Sequence, residues 1–437
     1  MTRLDPTRSP NPAPCALVVG GRGFIGGFIV AALRARGFAI RTLARPQGRT
    51  LGAEDIPGDL TRMLEPEDWD AALAGVSVVV NAAGILREDG RQSFETIHVR
   101  APLALARACA KRDIRFVQVS ALGHVDDGGF IESKHRFDAQ LLALPIEAIV
   151  LRPSVVYSHK GSYGGTSLLR ALAAFPWRNL LPGDGHWSFQ PICAEDLASI
   201  VAAACQQGER GIYELGCATP ISLADYQQHW RRWLQIRGKR SLQVPLTLVR
   251  LHVTLGQWLG KGPVNRTIWS MLLRGNRTAE GSHARAEAAF GVPIRPLPEV
   301  LASQPSQVQD RWAAQLYFLA PWLLWSVVVL WLGSALAGWL TPGEHILALT
   351  RDSILAQAHP VELARLAAGI DLVLGLWLAL GKRRRPVVLL MILSLAVYLV
   401  GFGFGLPHLW LDPLGGLLKN LVLLPALAVL WVLVDSR

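Results

Sequence analysis

Three glycines, Gly20, Gly23 and Gly26, stand at GxxGxxG spacing in the segment GGRGFIG, which also contains Arg22, Phe24 and Ile25. Glycine at this spacing allows a tight turn, lets the backbone approach an anion closely, and leaves a helix N-terminus facing that anion with free N–H groups. The chemistry implied is the cradling of a pyrophosphate. A second set of chemistry-bearing residues lies far downstream, where Asp371, Lys419 and Asn420, with Asp412 nearby, interrupt otherwise apolar sequence. Charges in such surroundings are costly unless they are paired or face an internal cavity. They read either as a small polar site, for a quinone head or a proton, or as an ion pair that fixes helix packing, or, for Lys419, as a lysine that snorkels to the interface.

The elements that must position the glycines are legible around them. The run ALVVG, residues 16–20, reads as a buried parallel strand, FIVAALRARG as a helix closed by Gly37, and FAIRTLARP as a second strand ending at Arg45. Glycines in a strand–turn–helix setting form a dinucleotide fingerprint, which the same glycines alone would not. Charge then bears on which dinucleotide. A ribose 2′-OH is met by an Asp or Glu at the end of the second strand, and a 2′-phosphate by a cation. Here that strand ends Leu43-Ala44-Arg45 without a carboxylate, and Arg22 lies inside the loop. Guanidinium forks suit phosphate, so NADP(H) is expected over NAD(H); the alternative is that Arg45 is a solvated strand end.

From Leu17 to about Glu299 the chain resembles the extended and atypical short-chain dehydrogenase/reductases of the NAD-dependent epimerase/dehydratase type. Within them it is most similar to the branch that includes the NADPH-binding accessory subunit of respiratory complex I. The matching pieces come in order: GGRGFIG; GDL with Asp59 and Leu60; VVVNAAG with Asn81, Ala82, Ala83 and Gly84; RFVQVSALG with Ser120; FIESK with Lys134; LRPSVVY; and QPICAEDLA. The resemblance implies an adenine-side role for Asp59 and Leu60, and a floor beneath the nicotinamide ribose from residues 81–84. It also implies catalytic or positioning roles for Ser120 and Lys134. The family's YxxxK pair works by a lysine that binds the ribose and lowers the tyrosine pKa, so that the tyrosine can exchange a proton with the substrate oxygen. Phe130 stands where that tyrosine belongs, and phenylalanine exchanges no proton. Either another acid serves (His124, Tyr157 and Tyr163 lie in loops that could approach), or the cofactor is bound without turnover, or the register is shifted. His186 and Gln190 are pocket residues by position only.

The wider composition sets the frame. The chain has 437 residues, too many for one domain, and five dispersed cysteines with no CxxC pair, which fits a reducing compartment and argues against a zinc site. Its N-terminus, MTRLDPTRSPNPAPC, is polar and proline-rich and does not read as a signal peptide. The net charge of +11 is concentrated, with no acidic residue between Asp225 and Glu280 but many Arg, Lys and Trp. With membrane spans following, anionic headgroups suit this stretch better than nucleic acid; a solvated helical face is the plain alternative.

Four apolar spans are expected near 314–340, 363–381, 386–406 and 414–434. Arg311 and the KRRR run at 382–385 place both termini and the first domain in the cytoplasm of a bacterial-type inner membrane. GIDLVLGL and HLWLDPLGGLLKNLVLL resemble the DoxX-like family, whose relatives include membrane subunits linked to quinone reduction.

The expected architecture is therefore α/β, a Rossmann doubly wound parallel sheet with a small substrate subdomain, followed by an all-α four-helix transmembrane domain. The boundaries expected are a disordered segment 1–14, a cofactor domain 15–300 with its subdomain at about 155–300, a linker 301–312 and a membrane domain 313–437. The expected function is a membrane-anchored oxidoreductase, or an epimerase or dehydratase, for a lipid-soluble or lipid-linked substrate. The alternative is a non-catalytic NADP(H)-binding subunit of a membrane redox assembly. A quinone or membrane redox partner fits either.

Overall fold

The computed structural model describes residues 13–46, 51–90, 92–238, 240–258, 266–411 and 416–434; the first twelve residues and Asp412 lie outside the described residues. The chain divides into two compact units, 1–314 and 315–437.

Seven strands form the sheet of the first unit: β1 (Cys15–Val19), β2 (Ala39–Ala44), β3 (Asp55–Pro57), β4 (Val78–Asn81), β5 (Arg115–Val119), β6 (Ala148–Pro153) and β7 (Gly211–Leu215). Their order is β7-β6-β5-β4-β1-β2-β3, and every pairing is parallel. Parallel sheets carry helices on both faces, so their strands must be apolar on both sides. In β1, Ala16 and Val18 pack with Ile29 and Leu33 of α1 (Phe24–Ala35) and with Leu197 and Val201 of α4 (Ala194–Ala204). Leu17 and Val19 point the other way, to Leu105 of α2 (Ala101–Ala110) and Phe137 of α3 (Gly129–Leu142). Each large side chain buried this way contributes about 1.5–3 kcal/mol. The strand order reverses between β1 and β4, which opens a crevice beyond their C-terminal ends.

Ahead of α2 the helix is widened to π-type hydrogen bonding over Glu95–Arg100. Pro102 supplies the cause: it has no N–H for the carbonyl of residue 98, and its ring would collide with that carbonyl. Such bulges recur at functional sites.

The smaller subdomain is built on three two-stranded ladders, Val156–Tyr157 with Ile192–Cys193, Ser188–Phe189 with Ile221–Ser222, and Asn179–Pro182 with Ser241–Val244. Tyr157, Trp187, Phe189, Tyr226, Trp230 and Leu297 fill its core. The stretch read as one subdomain, about 155–300, is interleaved. Residues 194–215 return to the main sheet as α4 and β7, because Leu215 and Tyr213 bury against β6-side neighbours in the first core. Ser282–Phe290 also packs there through Ala286 and Phe290.

Residues 301–312 are likewise not a plain linker. Helix Leu297–Ala302 ends there, and a 33-residue helix begins at Val308. Asp310 in its first turn accepts the Gln307 N–H at 2.8 Å, an N-terminal interaction that starts the helix early.

Among the described residues the second unit contains four helices long and apolar enough to cross a membrane: Val308–Leu340 (its first turns belong to the first unit), Pro360–Leu380, Arg384–Gly405 and Gly416–Leu433. Val327, Trp331, Leu374, Leu378, Val387, Met391 and Leu427 form its interior, while many Leu, Val and Trp side chains face outward. The fourth is divided into Gly416–Asn420 and Leu423–Leu433. Pro425 explains the break, since it cannot donate to the carbonyl of residue 421.

Candidate functional site

The glycine loop has the geometry its spacing demands. Gly20 adopts φ +82°, and a Cβ there would meet Ala83 N at 2.8 Å, so both conformation and space require glycine. A Cβ on Gly26 would lie 2.0 Å from the Gly20 carbonyl oxygen; α1 therefore docks directly on the turn. Gly23 precedes α1 with no side-chain cap, and the first turn, with Phe24 and Ile25, carries no acid. The first N–H groups of α1 have no side-chain acceptor, which is the cradle an anionic pyrophosphate fits.

Beside this cradle the charges differ from the expectation. Arg22 reaches Asp55 of β3, with Nε 3.1 Å from Oδ1 and a second bond to Oδ2. Asp55 also accepts from the Thr42 hydroxyl and, at 2.6 Å, from the Gly52 N–H. Desolvation opposes ionisation of Asp55, but these three donors hold its carboxyl below the ordinary value. A carboxylate on the next strand, in register with Thr42 rather than with the end of β2, thus engages Arg22. Arg45 is exposed and makes no ion pair among the described residues. Asp59 is half-buried and accepts from Thr61 N–H and hydroxyl at 3.0 and 2.9 Å, while Leu60 packs on the second core.

At the other end of the crevice, Asn81 is buried and satisfied. It donates to Gln118 at 2.8 Å and accepts from Ala83 N–H at 3.3 Å, so it shapes the turn through Ala82 and Ala83. Gly84 lies against Lys134 and His98; a Cβ there would be 3.4 Å from each of their terminal nitrogens. The Lys134 ammonium is buried and donates to the Val119 carbonyl at 3.3 Å, its one hydrogen bond among the described residues. Two of its three protons are left for a ligand. Burial depresses its pKa to about 8, against the pull of Asp138.

His98 was not anticipated. Its Nε2 accepts the Ile85 N–H at 3.0 Å, so Nδ1 carries the proton and donates to Ser133 at 2.9 Å; Ser133 in turn donates to the Phe130 carbonyl at 3.1 Å. Burial first, then the Lys134 charge, lowers its pKa to about 2, and the ring stays neutral. It stacks on Phe94 at 5.3 Å and meets Phe130 edge-on at 5.5 Å. Phe130 itself lies on α3 four residues before Lys134, whose Nζ stands 5.9 Å from its ring centroid. A histidine between Ile97 and Val99, four residues ahead of a proline, was the available signal for His98.

Ser120 is buried. Its hydroxyl donates to Asp138 at 2.8 Å, and the fully buried Asp138 also pairs with partly buried Arg152 at 2.9 Å. Burial raises the Asp138 pKa, while the serine and arginine oppose that. Of the three substitute acids, Tyr157 is buried against Tyr226 and Trp230, and burial raises its pKa. His124 is exposed beside Asp126. Tyr163 is exposed in the loop 160–164, where a Cβ on Gly161 or Gly164 would meet Phe24 at 3.6 Å or Leu86 at 3.1 Å. Gln190 is satisfied by Cys217, Ala218 and Thr278, and His186 is exposed beside Asp184. Neither faces the crevice as a free group.

In the membrane unit, Asp371 accepts from the Ser334 hydroxyl at 2.7 Å. The pairing of Asp371 with Lys419 is not formed. Lys419 is exposed and has no ion pair among the described residues, and it sits just before the break in the fourth helix. A long lysine stem can carry its charge outward, which removes the need for a partner. Asn420 is half-buried, and Asp412 lies outside the described residues.

Residues 16–216 match the NAD dependent epimerase/dehydratase family, and residues 328–431 match the DoxX-like family. The chain joins an epimerase/dehydratase-family domain to a DoxX-like domain. The first is a domain for a dinucleotide of the NAD(P) class, and the glycine cradle and the two open Lys134 protons fit such a group. The second, with its four apolar helices, makes the chain an integral membrane protein. The ceramide reductase of Caulobacter vibrioides is 26% identical over 205 residues, 45% of this chain and 63% of that protein. The chain thus spans a little under two thirds of that relative's length. UDP-N-acetylglucosamine 4-epimerase from Bacillus cereus is similar at TM-score 0.50 and 15% identity, covering 67% of this chain and 95% of that one. Pal from Bacillus thuringiensis is similar at TM-score 0.50 and 16% identity, covering 69% and 99%. At these identities the two structures speak for the fold alone.

Proposed function

We propose that the protein is a membrane-anchored NAD(P)(H)-dependent oxidoreductase, with NADP(H) preferred, that reduces a carbonyl on a lipid-soluble or lipid-linked substrate. The observation that carries this reading is Lys134. It is a buried ammonium with two unengaged protons, at the far end of a crevice that begins with an anion cradle, in a chain with four membrane spans. The likeness to a ceramide reductase supports a lipid of related chemistry. The nicotinamide, when bound, supplies the hydride. Gly20, Gly23 and Gly26 hold the pyrophosphate, Asp59 and Leu60 the adenine side, and Asn81 to Gly84 the floor under the ribose. Lys134 holds the ribose hydroxyls. With a pKa of about 8 it is also the group beside Gly84 that can keep a proton at neutral pH and release it to a nascent alkoxide. His98, held neutral with both nitrogens engaged, fixes the Gly84–Ile85 backbone against α3.

NADP(H) preference rests on Arg45, an exposed cation at the end of β2, with Arg22 held alongside by Asp55. The basic KRRR run at 382–385 and Arg311 support cytoplasmic termini in a bacterial-type inner membrane. A domain arrangement of 15–300 for the cofactor and its subdomain and 313–437 for the membrane part remains our reading. A second reading, NADP(H) binding without turnover, is favoured by Phe130 alone, which closes the usual tyrosine position with an aromatic cluster.

The deciding experiment is NADPH consumption by the full-length protein in nanodiscs, with a keto-lipid of the ceramide class, a quinone and lipid-linked sugars offered separately. Turnover with the keto-lipid supports the reductase. NADPH binding with no consumption by any acceptor overturns it in favour of the second reading.

A further inference from the structure

Within the basic stretch after Asp225, Arg240 and Arg250 are exposed, while Arg274 pairs with Asp127. Arg231 is buried, and its guanidinium donates to four carbonyls and no carboxylate. These are Ala173, which ends helix Gly165–Ala173, and Phe175 in the loop after it, at 2.9 and 2.7 Å, and Arg237 and Gly238 on another loop, both at 2.7 Å. The two loops are therefore pinned side by side, and a Cβ on Gly238 would lie 2.9 Å from the Trp177 carbonyl oxygen. From the first loop projects Trp177, 83% exposed and at φ +64°, a conformation that bulky residues avoid. Arg178 follows it into solvent.

The second loop leads through exposed Arg240 into strand Ser241–Val244, whose Leu242 is exposed, and then into helix Leu246–Trp258. Leu248 and Leu251 lie one turn apart on that helix, each more than half exposed, and Arg250 is exposed beside them. Arg178, Arg240 and Arg250 make no ion pair among the described residues, and the sequence places no acid between 225 and 280 to quench them.

We propose that this surface (Trp177, Arg178, Arg240, Leu242, Leu248, Leu251) is an interfacial seat, by which the substrate subdomain lies in the headgroup layer of an anionic bilayer. An indole and leucines amid unpaired arginines match the two demands of that layer, apolar contact below and negative charge around it. Water or an ordinary protein partner satisfies only one. The covalently attached spans keep a bilayer within reach. A strained turn held open by a buried arginine shows that the indole is presented by the fold rather than left over from it.

The test uses the full-length protein, one copy per nanodisc, with an environment-sensitive dye on Trp177→Cys or Leu248→Cys and on Gln140→Cys, an exposed site on α3, as control. The native cysteines are buried, apart from half-buried Cys15, and the unsubstituted protein gives the labelling blank. In discs with anionic lipid we expect blue-shifted emission at 177 and 248, quenched at least twofold by spin-labelled lipid, and water-like emission at 140. Zwitterionic discs, or the combined Arg178→Glu, Arg240→Glu and Arg250→Glu variant, should lose most of that quenching. Water-like emission at 177 and 248 in anionic discs overturns the proposal. So does shielding that is independent of lipid charge, or that appears only when several copies share a membrane, which would mark a protein–protein face.

Discussion

Restoring a tyrosine at position 130 tests the chemistry of the crevice most directly. In Phe130→Tyr the new phenol sits on a ring whose centroid is 5.9 Å from the Lys134 ammonium. At an effective dielectric of about 20, a unit charge at that range is worth roughly 3 kcal/mol. That lowers the phenol by about two pKa units, from about 10 toward 8. Lys134 itself titrates near 8, so this pull operates only below that pH and the two groups come off together. A positioned general acid contributes about 10²–10⁴-fold, and a grafted hydroxyl should reach at least the low end of that range. We therefore expect keto-lipid reduction to rise by about a hundredfold or more at pH 7 and to fall as pH climbs through 8. Ultraviolet difference titration of the variant against wild type reads the phenol, and stopped-flow NADPH consumption reads the rate. A phenol titrating at or above its free value, with an unchanged rate, would refute the placement of Lys134 beside position 130.

Other outcomes follow from the same geometry. Lys134→Met should weaken NADPH binding about tenfold, by loss of one charge-assisted pair of hydrogen bonds, as read by calorimetry in detergent. Arg45→Ala should reduce the ratio of NADPH to NADH affinity by roughly tenfold while leaving NADH affinity alone, in keeping with a charge-assisted bond of about 1.5–3 kcal/mol. Gly26→Ala places a methyl 2.0 Å from the Gly20 oxygen and should abolish binding of either dinucleotide and lower the thermal midpoint. For His98, the folded pKa of about 2 lies below the unfolded 6.5, so between these values the unfolded chain binds the extra proton. Stability should then fall as pH drops below about 6.5, by up to about 1.4 kcal/mol per pH unit, and His98→Gln should flatten that dependence in thermal melts.

Local chemistry was legible in the sequence, and pairing across the fold was not. The glycine loop, the flanking strands, the Phe130–Lys134 spacing and the four spans are each encoded within a few dozen contiguous residues. Arg22 and Asp55 are 33 positions apart, His98 and Ser133 are 35, and Ser120 meets Asp138 across a helix. Which of these would be neighbours depends on strand order and on how α3 packs against the π-widened turn. The same gap explains why the Ser120–Asp138 hydrogen bond was not foreseen. It also explains why Gln190, satisfied by three partners, could be noticed only for its position. Hydropathy located the fourth span but averaged over Pro425, which divides it.

The interleaving of the subdomain with the main sheet has a mechanical consequence. The chain passes between the two parts after β6, again into α4, and again after β7, so several covalent strands join them. A part joined to its neighbour at one point can swing like a door. One joined at several can only slide or twist by small amounts, as in shear motions. The subdomain could therefore not be excised or exchanged as a single cassette without tearing β7 from the sheet.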